Sequence, residues 1–470
     1  MLNWIWLGMI LSAVLVGGFG GRLEVMTTGV FEQAEFAVMK IALPFIGAWA
    51  VWLGMMRLAE RAGLVQALAR LLHPVLRRLF PEVPRDHPAM GAMVLSMSAN
   101  MLGVGNAATP LGLRAMAHLN ALNGRPGVAS NAMVTFLVIC TASIQLLPTT
   151  AITVLALDAI KRKDPLFQAT CIVAPGLIAT FCALCVGLFL AKTLARFPIF
   201  APVDDPDAVA PAPEAKTEEL AVETVRPAPL TLRGKLALGC YFAAFAAIFF
   251  LLVTKVKPDV ANGVLHAARA TLPHFFPGTW AFPSPVEAPQ WARVIQSVSL
   301  LSIPFMLSFF PLYGALRGVK VYEQFCEGAK EAFGTAQRVI PFLVAMLVGI
   351  RLLRDSGALL LVIDGIRPVL DFFHFPAEIF PLALMRPLSG GASLGIMTDL
   401  VATHGSNSLI GKMAATIYGS SETTFYVIAV YFGSVGVRKT RHAVLAGLAA
   451  DLTALIVSVI VCNAMFKSPT

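Results

Sequence analysis

The chain has 470 residues, of which 57% are hydrophobic and only 13% charged, and its mean hydropathy is +0.75. A soluble domain needs charge over its surface, so this composition excludes one and predicts a polytopic membrane protein. The net charge of +9 does not call for a nucleic-acid partner, because Arg and Lys gather at the ends of apolar stretches, where they set topology.

Those stretches run to about 20 residues and are rich in Leu, Ala, Val, Ile and Phe, which favours a helical bundle over the ten-residue alternation of a membrane barrel. In chain order the predicted spans are 3–19, 39–56, 130–157, 166–191, 234–254, 293–316, 339–353, 408–432 and 443–464. The first, "WIWLGMILSAVLVGGF", lacks a basic leader and a small-residue cleavage site, and is read as a retained helix. Residues 201–230 carry six Pro, seven acids and two bases, a composition that cannot bury a core and reads as a disordered linker. The expected organisation is a first repeat at 1–200, the linker, a connecting helix and extracytoplasmic loop at 231–292 with Trp280 and Trp291 as interface anchors, and a second repeat at 293–470.

The two halves share punctuation. "RLAERAGLVQALARLLHPVL" from Arg57 aligns without a gap on "RLLRDSGALLLVIDGIRPVL" from Arg351, matching Gly63 to Gly357, Pro74 to Pro368 and Leu76 to Leu370. Each half continues with a Phe-Pro pair (Phe80-Pro81, Phe375-Pro376), a Gly-interrupted apolar stretch, and a second interrupted stretch with a Thr pair (Thr149-Thr150, Thr423-Thr424). Four spans per half plus the 234–254 helix would invert the second half relative to the first. Charge supports that reading: 57–86 carries six Arg against three acids, and 351–371 three against three, as expected if only the former faces the cytoplasm. "RKTR" at 438–441 falls inside in the same scheme; "KRK" at 161–163 falls outside and disagrees with it.

The interrupted stretches carry the chemistry. In "SANMLGVGNAATP" (98–110) a helix over 88–102 of about 22 Å and one over 109–121 of about 20 Å would each reach past the middle of an apolar slab about 30 Å thick. A re-entrant hairpin is therefore expected, its second arm opening at the N-cap Thr109 with Pro110 at the first helical position. "PLALMRPLSGGASLGIMTDL" supplies the second hairpin, with Ser389, Gly390 and Gly391 at its tip and Arg386 and Asp399 beside it. An Arg or Asp there costs about 3 kcal/mol if it faces lipid, so each should face a cavity or a partner, with Arg386–Asp399 and Arg386–Glu422 pairs as the structural alternatives. "CTASIQLLPTTAI" and "IYGSSETTFYVI" unwind near Pro148 and Gly419; freed backbone groups and half-helix N-termini are the usual makings of a midplane substrate site. Glu422 sits in an otherwise uncharged stretch, suited to coupling by H+ or Na+, to binding a donor on the substrate, or to capping the half-helix from Thr423.

The expected substrate site comprises Asn100, Gly103, Gly105, Asn106, Thr149 and Thr150 from the first half, and Arg386, Ser389, Ser393, Ser421, Glu422 and Thr423 from the second. No metalloprotease, Walker or nucleophile-elbow motif is present, so no enzymatic activity, resident metal or cofactor is expected. The seven Cys have no His or carboxylate at ligand spacing and read as packing residues.

These stretches resemble a known family. Residues 1–160, through "HPAMGAMVLSMSANMLGVGNAATPLG" and "LLPTT", resemble spore maturation protein A, and 320–465, through "PLALMRPLSGGASLGIMTDL" and "GSSETTFYVIAVYFGSVGVRKTRHA", resemble spore maturation protein B. The chain is thus similar to a fusion of two proteins that often occur separately. The resemblance extends to the wider nucleoside-recognition or Gate group, which includes the gates of ferrous-iron transporter B and concentrative nucleoside transporters and implies inverted repeats with re-entrant hairpins. The expectation is an all-α polytopic bundle of the bacterial cytoplasmic membrane, built from two inverted-topology repeats, each with a re-entrant hairpin and a broken helix. It would act as a secondary transporter or gate for a small polar or anionic solute, in contact with membrane lipid, without nucleic acid, and with homo-oligomerisation left open. A lipid or envelope-precursor translocase and a non-transporting scaffold or receptor are the alternatives.

Overall fold

The computed structural model describes residues 2–84, 87–102, 105–142, 144–146, 148–163, 170–202, 228–253, 290–359, 361, 364–365 and 375–466. Gly103, most of the predicted linker and nearly all of the 256–292 loop lie outside this set. The described residues fold into helices without a strand: α1 (Leu2–Phe19), α2 (Leu23–Glu35), a π-helical segment (Phe36–Ala42), α3 (Leu43–Arg61), α4 (Leu64–Leu79), α5 (Pro88–Leu102), α6 (Gly105–Ala121), α7 (Asn131–Thr141), α8 (Thr149–Arg162) and α9 (Val173–Leu194). After α10 (Leu232–Val253) come α11 (Gln290–Leu316), α12 (Val321–Ser356), α13 (Phe380–Met385), α14 (Gly390–His404), α15 (Leu409–Gly419), α16 (Thr424–Ser434) and α17 (Ala443–Phe466). Among the described residues, four helical stretches are long and apolar enough to cross a membrane: Leu23–Arg61, Val173–Leu194, Leu232–Phe250 and Ala443–Phe466. Phe181, Phe189, Leu445, Ile456 and Ile460 lie exposed on two of them, an arrangement that suits lipid as the solvent.

Several boundaries differ from expectation, each for a local reason. The span predicted at 39–56 belongs to one helical stretch from Leu23 to Arg61; the wider π turns at Phe36–Ala42 run into Pro44, which lacks the N–H that a regular turn would use. The span predicted at 339–353 is the apolar end of the 36-residue α12, which runs on through Gly328, Gly334 and Pro341 without a stop. The second arm of the first hairpin opens at Gly105 rather than at a Thr109 cap. Pro110 inside α6 removes one intrahelical bond, and Ser96 of α5 donates to the carbonyl of Ala108 at 3.1 Å, holding that turn from outside. Other starts follow side-chain capping: Ser130, Ser389 and Ser408 accept from the N–H of Met133, Ala392 and Gly411.

The aligned glycines of the two halves do the same job. Gly63 follows α3 at φ +82° and Gly357 follows α12 at φ +85°, left-handed positions that favour a residue without Cβ. The helices they end run antiparallel: Gly29 meets Arg351 and Asp355, whereas Gly54 and Arg57 meet Phe325 and Gly328. The two glycine turns therefore sit at opposite ends of the pair.

α3 and α12 cross where both lack side chains. A Cβ on Gly328 would lie 2.6 Å from the Leu53 carbonyl oxygen and 2.9 Å from the Gly54 Cα, backbone atoms that cannot step aside. α9 and α17 also pack through small residues, with Ala183, Ala450 and Ala454 buried and a Cβ on Gly187 placed 3.1 Å from Cβ of Ala450. Close backbone approach is how helices gain packing where lipid removes the hydrophobic drive between them. Gly328→Leu should therefore destabilise the protein by about 1–3 kcal/mol through overpacking, read as a lower melting temperature in detergent. Gly47→Ala, at an α3 position with nothing within 4 Å, should leave the melting temperature unchanged.

Candidate functional site

Three backbone hydrogen bonds join the four interrupted segments. At the end of α5, the carbonyl of Met101 accepts from the N–H of Leu146, in the break between α7 and α8, at 3.0 Å. The carbonyl of Thr141, where α7 stops, accepts from the N–H of Glu422, in the break between α15 and α16, at 2.9 Å. The carbonyl of Pro387, in the turn between α13 and α14, accepts from Phe425 at 3.1 Å. The first hairpin, the first break, the second break and the second hairpin are thus linked in that order, and each link occupies groups that a continuous helix would have satisfied itself. Gly419 permits the central contact, because a Cβ there would stand 2.6 Å from Cβ of Pro148.

Side chains reinforce this seam. Gln145 Nε2 donates to Glu422 Oε1 at 3.0 Å across the two breaks. Thr423, the N-cap of α16, makes no side-chain cap, and the described bond of Glu422 goes to the other half rather than to its own helix. Arg386 is 5% exposed; its Nη1 reaches the Thr423 hydroxyl at 3.4 Å and its guanidinium lies 4.7 Å from the centre of the Tyr418 ring. The Arg386–Asp399 alternative does not form, because Asp399 pairs with Arg354 of α12 at 2.5 Å. Asp451, buried in α17, accepts from the Thr424 hydroxyl at 2.6 Å. Arg386, Ser421 and Asp451 line a cavity of about 100 Å3 whose remaining walls are chiefly aliphatic.

The remaining site residues divide. Arg386, Ser421, Glu422 and Thr423 come together at the seam. Ser389 spends its hydroxyl on the Ala392 N–H, and Ser393 donates to the Ser389 carbonyl at 2.7 Å, so both hold the start of α14. Thr149 and Thr150 open α8 directly after the break, half-buried, and Asn100 lies half-buried in the last turn of α5. Gly105 and Asn106 form the first turn of α6. The described residues lining the cavity belong to the second half, which places it beside the second hairpin. Asp451 and Gln145 went unpredicted. The signal for Asp451 was available, since it is one carboxylate in a 24-residue apolar helix, the placement that marks an intramembrane functional group. Gln145 gave none beyond its place in a polar break. Among the described residues no cluster of His, Cys, Asp and Glu could hold a metal.

The Gate family model, described as nucleoside recognition, matches residues 39–157 and 336–438. Spore maturation protein B of Bacillus subtilis (strain 168) is 45% identical over 176 residues, covering 37% of this chain and 99% of the relative. Spore maturation protein A of the same organism is 39% identical over 180 residues, covering 38% of this chain and 88% of the relative. The chain belongs to the spore maturation protein A/B family. Its two relationships fit a fusion of A-like and B-like parts. No solved structure matches the chain. Within this family member the matched segments hold both hairpins and both breaks, including Arg386 and Glu422, whereas Asp451 lies beyond the second segment.

Outside the spans, His442 precedes α17 fully buried, its Nε2 3.0 Å from the Ala191 carbonyl. Burial, then the charge of Arg441, hold its imidazole below the ordinary His value, so it is neutral at physiological pH.

Gln145→Leu should leave the half-buried Glu422 carboxylate without its cross-half donor, at a cost of about 1–3 kcal/mol. The expected readout is a melting temperature several degrees lower in detergent, with a smaller drop when Glu422→Gln is combined with it.

Proposed function

We propose that the protein is a multi-pass protein of the bacterial cytoplasmic membrane that moves a small polar or anionic solute, as a secondary transporter or gate, with its two halves in inverted orientation. The observation that carries this reading is the seam itself: four helix interruptions joined by backbone hydrogen bonds, with Arg386, Glu422 and Asp451 gathered around them. Irregular backbone within a membrane is tolerated where protein or a polar cavity satisfies it, and such places are where transporters bind solute and coupling ion. Glu422, tied to the opposite half, is suited to couple H+ or Na+ to the relative movement of the two halves. A cavity of about 100 Å3 favours a small solute over an acyl-bearing lipid or envelope precursor. The reading assigns no bond-breaking step.

The antiparallel crossing of α3 and α12 supports the inversion. It is tested by single cysteines in a Cys-free background: Lys161→Cys and Lys439→Cys should react with a membrane-impermeant maleimide from opposite faces. Labelling of both from one face would contradict the topology.

Transport is tested with purified protein in liposomes and a panel of small anions, zwitterions and nucleosides. We expect saturable uptake of at least one solute, reduced at least tenfold by Glu422→Gln in protein of unchanged melting temperature. Absence of flux and of thermal stabilisation across the panel would remove the transport reading.

A further inference from the structure

The cavity beside the second hairpin is chemically lopsided in a way that limits what can fill it. Arg386 and Asp451 are 5% and 6% exposed, and each keeps one buried polar atom without a partner, Nε of Arg386 and Oδ1 of Asp451. Neither joins any described ion pair, with the other or with a third residue. Both line the same space, with Ser421 as a third polar group and Leu448 and Leu455 among the apolar walls. An unpartnered donor and an unpartnered acceptor in an apolar surrounding each carry a desolvation cost that a ligand can remove. At roughly 30 Å3 per water, the space of about 100 Å3 holds about three waters or one small amino acid.

A simple anion would satisfy Arg386 and face Asp451 across the cavity with like charge; a simple cation would do the reverse. A nucleoside is too large. Resting on the transport reading above, we propose that this cavity is the solute site and that it binds a small zwitterion, an α-amino acid of glycine or alanine size. The carboxylate of the ligand lies on Arg386, and its ammonium lies on Asp451 and Ser421.

The test is calorimetric titration of the full chain in nanodiscs with glycine, L-alanine, acetate and methylamine. The amino acids should bind at least tenfold more tightly than either half-ligand, and Arg386→Gln and Asp451→Asn should each weaken them at least tenfold. Because either change in a buried charge can impair folding, Ala383→Leu supplies a second variant: it fills the cavity from a half-buried wall position and leaves both charged residues in place. It should abolish amino-acid binding at an unchanged melting temperature. Acetate binding as tight as alanine and indifferent to Asp451→Asn would overturn the proposal in favour of an anion site. Absence of binding by all four probes would also overturn it; saturable flux of another solute in liposomes would then leave the transport reading standing, and absence of flux would remove both.

Discussion

A helix that stops inside an apolar slab leaves N–H and C=O groups that no water can reach, and each costs several kcal/mol if left unpaired. The architecture follows from how this chain answers that constraint. Its interruptions satisfy one another, Met101 with Leu146, Thr141 with Glu422, and Pro387 with Phe425. None of these pairs is local in sequence, so the bonds fix tertiary structure as well as local backbone. The break in the first half is closed partly by the second half, through Thr141 and Glu422. The flanking helix crossings, glycine on glycine at Gly54 and Gly328, bring the scaffold close enough for these short contacts to form.

The parts of this arrangement that depend on backbone chemistry were legible in the sequence. Gly63 and Gly357 were paired by alignment and both adopt left-handed conformations after a helix; the unwinding points near Pro148 and Gly419 fall where helices α8 and α15 begin and end. Such residues announce themselves, because Gly alone enters the left-handed region at little cost and Pro fixes φ and removes a backbone donor wherever it stands. Boundaries set by polar helix were less legible. The first half of α12 is too polar for a membrane span, and an apolar window sees only the rest of that helix. Partners were the least legible. Asp399 lies 13 residues from Arg386 in sequence and pairs with Arg354 instead, a choice made by the packing of α12 on α14 and invisible to spacing. Gln145 became important only because Thr141 and Glu422 meet.

The two hairpins differ in how completely their described contacts close, and this difference bears on the proposed solute site. In the first hairpin the described contacts are met from within the protein, with Ser96 on the Ala108 carbonyl and Leu146 on Met101. The second hairpin is closed in its backbone by Ser389 and Phe425, yet the cavity beside it is lined by Arg386 and Asp451, each of which keeps one buried polar atom without a partner. Replacing such a pair with apolar residues is often neutral or stabilising for a fold, so stability alone does not account for two unpaired charges in one cavity. A site that must bind and then release a solute has to remain incomplete without it. On the proposed transport reading, the first half would serve as the frame against which the second half reports, through the Gln145–Glu422 bond, whether the cavity is filled.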